Sequence, residues 1–311
     1  MSRYLVTGGA GFIGSHVARA LTRQGHEAVI LDNLSTGNEK NVSAAGGKVQ
    51  FVRGDVTDET TVEKCVRGVS GVFHLAAFIS VPASMQNPAE CERINTGGTI
   101  NVLEAARKAG VERVVLSSSA AVYGDAPGLP KSETHPPRPM SPYAMSKLSG
   151  EWYLRIYAGA YGMKTVSLRY FNVFGPRQDP SSQYAPVIPN FIHRLLDGKR
   201  PIIFGDGKQT RDFVFVHDVA TANVLAMESE HAAGDVINIG LGHETSVLDL
   251  ALMLSDVINP GLKPLHEDPR PGDIFRSVAD VSLAKDLLRF VPGTDMKKGL
   301  EETAAWFRRN G

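Results

Sequence analysis

Only two cysteines, Cys65 and Cys91, occur in 311 residues. Two thiols cannot build a disulfide framework, and neither sits in a metal-ligand spacing, so both are expected as buried thiols of a reducing compartment. An excess of either charge is also missing: Lys plus Arg number 33 and Asp plus Glu 33, for a formal net charge of zero. A protein that tracks nucleic acid or an anionic membrane surface needs a basic surplus to meet phosphates, so neither partner is expected. No apolar run approaches the ~20 residues that span a bilayer. The first strand-like residues begin at Arg3, so no targeting peptide is expected before the fold and a cytoplasmic location is inferred. Internal repeats and low-complexity segments are absent. So is the Gly-x-Ser-x-Gly elbow of one large class of hydrolases. His-x-x-x-His spacing does not occur either; His74 and His217 read as isolated structural residues, and no metal is expected.

What is present is a 42% hydrophobic fraction, ordinary for a packed globular chain of one large or two modest domains. Short β-branched apolar runs recur: Tyr4-Leu5-Val6, Ala28-Val29-Ile30-Leu31, Val49-Gln50-Phe51-Val52, Val72-Phe73-His74-Leu75, Val114-Val115-Leu116, Thr165-Val166-Ser167-Leu168 and Val236-Ile237-Asn238-Ile239. They lack strict alternation, as parallel strands covered on both faces do. Helical patterns near 12–24, 59–67, 88–109 and 143–161 lie between them. Strand–helix–strand repetition predicts an α/β fold with a doubly wound parallel sheet of Rossmann type. After Arg169 the texture changes to a Pro- and Gly-rich loop, Phe174-Gly175-Pro176-Arg177-Gln178-Asp179-Pro180. Helical patterns near 187–198, 217–229, 246–258 and 297–309 follow. The expected division is a Rossmann domain from 1–170 and 213–239, with a smaller α/β substrate-binding lobe from 171–212 and 240–311.

Gly8-Gly9-Ala10-Gly11-Phe12-Ile13-Gly14 follows the first strand and opens the first helix. Glycine there lets the backbone turn tightly and approach a pyrophosphate, which the helix N-terminus favours through its N–H groups and dipole. Asp32 ends the second strand, 18 positions after Gly14. A carboxylate at that place accepts both adenosine ribose hydroxyls and repels a 2′-phosphate. No basic residue follows in Asn33-Leu34-Ser35-Thr36-Gly37, so the cofactor is read as NAD rather than NADP. Gly54-Asp55-Val56 is placed to meet the adenine.

Tyr143 and Lys147 lie four apart behind Ser141, a good N-cap, and Pro142, a good first helical residue. Both should project from one face of the helix. A phenol near pKa ~10 is a poor base, and a nearby ammonium together with a positive nicotinamide ring should lower it. Ser117-Ser118-Ser119 leaves the carboxyl end of a strand, where a hydroxyl can relay a proton to Tyr143. Physics alone does not choose among the three serines.

As a set these motifs resemble the extended short-chain dehydrogenase/reductase family, and within it the UDP-sugar 4-epimerases. The resemblance runs along nearly the whole chain. Beyond the glycine turn, Asp32-Asn33-Leu34 and Tyr143 with Lys147, it includes His74-Leu75-Ala76-Ala77, Arg169-Tyr170-Phe171-Asn172, Gln209-Thr210-Arg211-Asp212-Phe213 and Arg270-Pro271-Gly272-Asp273. It implies a catalytic trio of Ser119, Tyr143 and Lys147. Around NAD it implies Gly8, Gly11, Phe12, Ile13, Gly14, Asp32, Asn33, Thr36, Gly37, Asp55, Val56, Leu75, Ala76, Ala77, Ser117, Tyr143, Lys147 and Tyr170. Around the UDP-sugar it implies Ser80, Ser119, Tyr143, Asn172, Val187, Phe204, Arg211, Arg270, Asp273 and Ser277. Arginine suits phosphate because its fork donates two charge-assisted hydrogen bonds.

Related dehydratases and decarboxylases carry a Glu directly before the Val-Tyr-Gly that ends the serine segment, and the dehydratases usually an Asp before it. Here those places hold Ala120 and Ala121, neither of which can transfer a proton, so elimination of the sugar 6-hydroxyl is not expected. Ser277 resembles the position that gates the sugar pocket. A serine leaves room for an N-acetyl group where some members carry tyrosine. Ser80-Val81-Pro82 and the loop from Phe174 also look like the branch accepting N-acetylated sugars. The chain departs from better-known epimerases in being somewhat shorter and in having Ile79 where some have lysine. The family commonly dimerises through the helices here near 88–109 and 143–161, so a homodimer is expected. The competing readings are a nucleotide-sugar oxidoreductase that exchanges its cofactor and a non-catalytic NAD-sensing protein; the second usually goes with loss of the Tyr or Lys, and both remain.

Overall fold

In a computed structural model, residues 1–179, 186–269 and 274–310 are described. The apolar runs assemble into one parallel sheet of seven strands. Its order across the sheet is Val236–Ile239, Lys164–Tyr170, Arg113–Ser119, Gly71–His74, Arg3–Thr7, Glu27–Asp32 and Lys48–Arg53. This is the doubly wound Rossmann arrangement, with the reversal of strand order between Arg3–Thr7 and Gly71–His74. Consecutive residues alternate between two buried faces. Val6, Ile30, Phe73 and Val115 pack with the helices Phe12–Arg23 and Val216–Glu228. Leu5, Val29, Val72 and Val114 pack with Glu59–Cys65, Gly98–Lys108 and Pro142–Tyr161. Both faces are dry, which is why the strands read as continuous apolar runs.

The helical pattern expected over 88–109 is real but broken. Pro88–Glu92 and Gly98–Lys108 are α-helical, and Arg93–Gly97 between them is a π-helical turn. Such insertions cluster at functional sites because they re-aim side chains on an otherwise regular face. Here the re-aimed residue is Asn95.

A separate core holds the second lobe. Phe174, Ile188, Phe191, Ile203, Phe213, Phe215, Leu250, Leu254, Leu300 and Phe307 pack together from several stretches of chain. Three two-stranded pairings frame it: Asn172–Phe174 with Phe213–Phe215, Ile202–Phe204 with Leu265–Glu267, and Thr210–Arg211 with Thr245–Ser246. Residues 213–239 run from this lobe through the helix Val216–Glu228 to the edge strand of the large sheet.

One buried ion pair ties the sheet to the helix Pro142–Tyr161. Arg169 donates two hydrogen bonds to Glu151, at 2.8 and 2.7 Å. Its guanidinium lies 4.7 Å from the ring centre of Tyr123, whose hydroxyl donates to Asn238. The planar fork and the aromatic face offset the desolvation that an isolated buried charge would suffer. Among the described residues no helix is long and apolar enough to cross a membrane.

Candidate functional site

The crevice outside the carboxyl ends of the strands, at the reversal point, is a cleft of about 610 Å³. Its floor is the glycine turn. Gly8 sits at φ +68°, and a Cβ added there would lie 2.7 Å from the Ala76 nitrogen. A Cβ on Gly14 would lie 2.2 Å from the Gly8 oxygen. Neither place tolerates a side chain, so the turn folds onto itself and brings the start of the helix Phe12–Arg23 to the cleft. Gly11 precedes that helix without a side-chain cap, and no acidic residue stands in its first turn. An anion is the natural partner of such an end.

Asp32 is held at the rim by backbone N–H groups. Ala10 donates to Oδ2 at 2.9 Å and Leu34 to Oδ1 at 2.8 Å. Asn33 donates to Asp55 at 2.8 Å. Burial pushes the Asp55 carboxyl up, but hydrogen bonds from the Thr57 backbone and hydroxyl and from Asn33 outweigh it and hold the group below the usual carboxylate range.

At the other end of the cleft, the helix Pro142–Tyr161 begins with Ser141, whose hydroxyl accepts the Ala144 N–H. Tyr143, Lys147 and Glu151 follow at four-residue spacing, each engaging one of the three serines. Ser119 stands beside the Tyr143 phenol and pulls it downward. Lys147 donates to the Ser117 carbonyl at 2.9 Å and lies 3.4 Å from its hydroxyl. Ser118 donates to Glu151 in a short contact. The ambiguity among the serines is thereby resolved into three different contacts.

Burial pushes the Tyr143 phenol up, against a smaller downward pull from Ser119. The lowering expected from Lys147 together with a nicotinamide ring concerns the cofactor-bound site; among the protein's own groups Lys147 adds no pull on Tyr143. The Lys147 nitrogen is 5.9 Å from the Tyr143 ring centre and is turned toward Ser117. Burial also lowers Lys147 itself to about 8, although Cys91 and Glu151 pull it upward.

Behind these groups runs a chain of hydrogen bonds in which each proton can be assigned. Thr99 donates to the Asn95 carbonyl at 2.6 Å, so its oxygen accepts from His74 Nε2 at 3.1 Å. His74 Nδ1 therefore accepts from the Thr7 hydroxyl at 2.7 Å, and Thr7 accepts the Ala76 N–H at 3.2 Å. Asn95 extends the network. Its amide nitrogen donates to Ser146 and to the Phe78 carbonyl, at 2.8 and 3.1 Å, and its oxygen accepts the Phe78 N–H at 2.6 Å. Thus His74 is not isolated; it joins the glycine turn's strand, the Ala76 loop and the π-helical turn.

Of the residues anticipated around the cofactor, all but Gly37 line the cleft, and a Cβ on Gly37 would sit 2.8 Å from Asp32 Oδ1. Ser80 and Tyr143, anticipated for the sugar, line it too. Ser119 stands beside Tyr143 without lining the cleft. Asn172, Arg211 and Ser277 are not among its lining residues and lie in segments joined to one another through Asp212. Val187 opens the helix Val187–Leu196, and Phe204 ends the strand Ile202–Phe204. Arg270 and Asp273 lie outside the described residues, as does Pro180. Sequence reasoning missed Ser35, Phe78, Glu90, Ile94, Val173 and Gln178 along the cleft, and Asn95 behind it. An Asn with low helix propensity inside a helical pattern was the available signal for the last. Among the described residues no cluster of His, Cys, Asp or Glu is arranged to hold a metal.

His74 and His16 are both lowered from 6.5 to about 3, chiefly by burial. The folded protein keeps them neutral where the unfolded chain takes up protons, so stability is present in full above pH ~6.5 and falls as pH drops toward ~3. Each should remove on the order of 2 kcal/mol between pH 6.5 and 4.5. In urea titrations across that window, His74→Gln should take up about one proton fewer on unfolding than the parent; an unchanged slope would contradict a neutral His74.

Residues 4–240 match the family described as NAD dependent epimerase/dehydratase. A UDP-glucose 4-epimerase of Mycolicibacterium smegmatis is 40% identical over 310 residues, covering 98% of either chain. Among solved structures, a UDP-N-acetylglucosamine 4-epimerase of Methanobrevibacter ruminantium in complex with UDP-N-acetylmuramic acid superposes with a TM-score of 0.95. Identity is 40%, over 100% of this chain and 99% of that one. A UDP-glucose 4-epimerase of Thermotoga maritima with UDP-glucose gives a TM-score of 0.94 at 39% identity over 99% of both. With residues 4–240 matched and relatives aligned end to end, the chain belongs to the NAD dependent epimerase/dehydratase family.

Proposed function

We propose that this protein is a UDP-hexose 4-epimerase, interconverting gluco and galacto UDP-sugars with tightly held NAD. The observation that carries the reading is Tyr143 and Lys147 opening onto the cleft of the glycine turn, with Ser119 beside Tyr143 and with Ala120 and Ala121 supplying no second acid. The cleft suits NAD. The turn at Gly8 and Gly14 has no space for side chains, which leaves backbone for a pyrophosphate, and the Asp32 carboxylate disfavours a 2′-phosphate. When bound, NAD supplies a reversible hydride acceptor for C4 of the sugar.

In this reading Tyr143 removes the proton of the 4-hydroxyl and returns it after the 4-keto sugar has turned over. Ser119 hydrogen-bonds the reacting oxygen and Tyr143 together. Lys147, one helical turn on, donates to the Ser117 carbonyl and so fixes the strand end beside Tyr143. Binding energy placed on the UDP by Arg211 and Arg270 leaves the sugar loosely held, which turning requires. Ser277 leaves room at C2, so UDP-N-acetylglucosamine is a second substrate. We also infer a homodimer. Met145, Trp152 and Ile156 form an exposed apolar stripe along the helix Pro142–Tyr161, with Trp152 54% exposed. A second copy would cover it.

Without added cofactor, the purified protein should convert UDP-glucose and UDP-N-acetylglucosamine to their galacto epimers, followed by NMR of the sugars. Tyr143→Phe should slow turnover by at least ~100-fold and leave the bound NAD in place; a fully active variant sinks the scheme. By sedimentation velocity the protein should have twice the mass of one chain and Trp152→Glu should be monomeric, whereas a monomeric parent refutes the dimer.

A further inference from the structure

Asp212 is fully buried, and its carboxylate is spent on backbone. Gly242 and Ala279 donate their N–H groups to Oδ2 at 2.9 and 3.0 Å, and Leu241 donates to Oδ1 at 2.6 Å. The Asp212 carbonyl accepts the Asn172 N–H at 2.9 Å. Four separate stretches of chain therefore meet on one residue. The approach is close: a Cβ on Gly240 would lie 2.7 Å from Asp212 Oδ2 and 2.8 Å from the Ala279 Cβ. Burial pushes the carboxyl up, and the three backbone donors pull it down.

Three of those stretches carry the side chains assigned to the UDP-sugar. Arg211 directly precedes Asp212, Asn172 is held by its carbonyl, and Ser277 is two residues before Ala279. Further bonds keep the same parts in register. Thr210 N–H donates to the Phe275 carbonyl at 2.9 Å, Thr210 pairs with Arg276, and Arg276 forms an ion pair with Glu244. The cofactor cleft is lined by other residues, the nearest in sequence being Val173, next to Asn172.

We propose that Asp212 is a positioning residue of the substrate site, setting the spacing between the phosphate-binding Arg211, the Asn172 side and the sugar-facing Ser277. It acts through backbone, and the partners of its carboxylate do not line the cofactor cleft. This rests on the epimerase reading. A carboxylate can take all three N–H donors; an amide of the same shape must turn its NH₂ toward at least one of them. The frame should then loosen at the substrate and leave the cofactor untouched.

Asp212→Asn separates this role from general support of the fold. Expected are a rise in KM for UDP-glucose of about tenfold or more, a kcat within about threefold of the parent, and the same amount of NAD per purified chain. Affinity for UDP alone, by calorimetry, should weaken in parallel. An unchanged KM and UDP affinity would overturn the proposal. So would a fall in kcat and bound NAD with KM unmoved, which is what mere loss of folded protein produces. If Asp212→Asn does not fold, Gly240→Ala, which presses on the same carboxylate, is measured in its place with the same expected KM shift. A parent protein that binds UDP but leaves both sugars unchanged would refute the epimerase reading, while the UDP affinities of parent and variant would still decide the role of Asp212.

Discussion

The constraint on which the rest depends is the burial of ionisable groups along one face of the helix Pro142–Tyr161. Lys147 and Glu151 are buried against the end of a parallel strand, and Tyr143, half-buried, faces the cleft. Burial disfavours the phenolate and the ammonium alike, raising one and lowering the other. Each group is therefore tied to a fixed partner: Ser119, the Ser117 carbonyl, and Ser118 with Arg169.

The two ends of the reaction are served by different kinds of structure. At the cofactor end, backbone carries the recognition, because the glycine turn leaves no side chains and Asp32 is itself pinned by backbone N–H groups. At the proposed substrate end, side chains from distant stretches must be gathered, and those stretches converge on the Asp212 carboxylate and carbonyl. A rigid cofactor cradle beside a separately assembled sugar lobe matches a reaction in which one partner stays and the other must turn and leave.

Much of this was legible in the sequence because it is local. The glycine turn, Asp32 at the end of the second strand, and Tyr143 four residues from Lys147 are short-range patterns whose geometry follows from one strand and one helix. Strand identity was legible for the same reason, since a covered parallel strand is apolar throughout. What was hidden depends on distant neighbours. His74 read as isolated because Thr7 and Thr99 come to it only in the folded sheet. The π-helical turn at Arg93–Gly97 leaves no mark in the apolar period, and the work of Glu151 and Asp212 is set by residues 18 to 67 positions away. Spacing reveals that a lysine lies near Tyr143, but not that its ammonium turns to the Ser117 carbonyl.

The central claim is that the hydrogen at C4 leaves and returns within a closed site while Tyr143 handles only the hydroxyl proton. Running the reaction to equilibrium in deuterium oxide and examining C4 of both UDP-sugars by NMR and mass spectrometry tests it directly. The account predicts no deuterium at C4, since the same hydrogen comes back to the opposite face. Deuterium appearing there at the rate of epimerisation would mean that the carbon is deprotonated to solvent, and would contradict it.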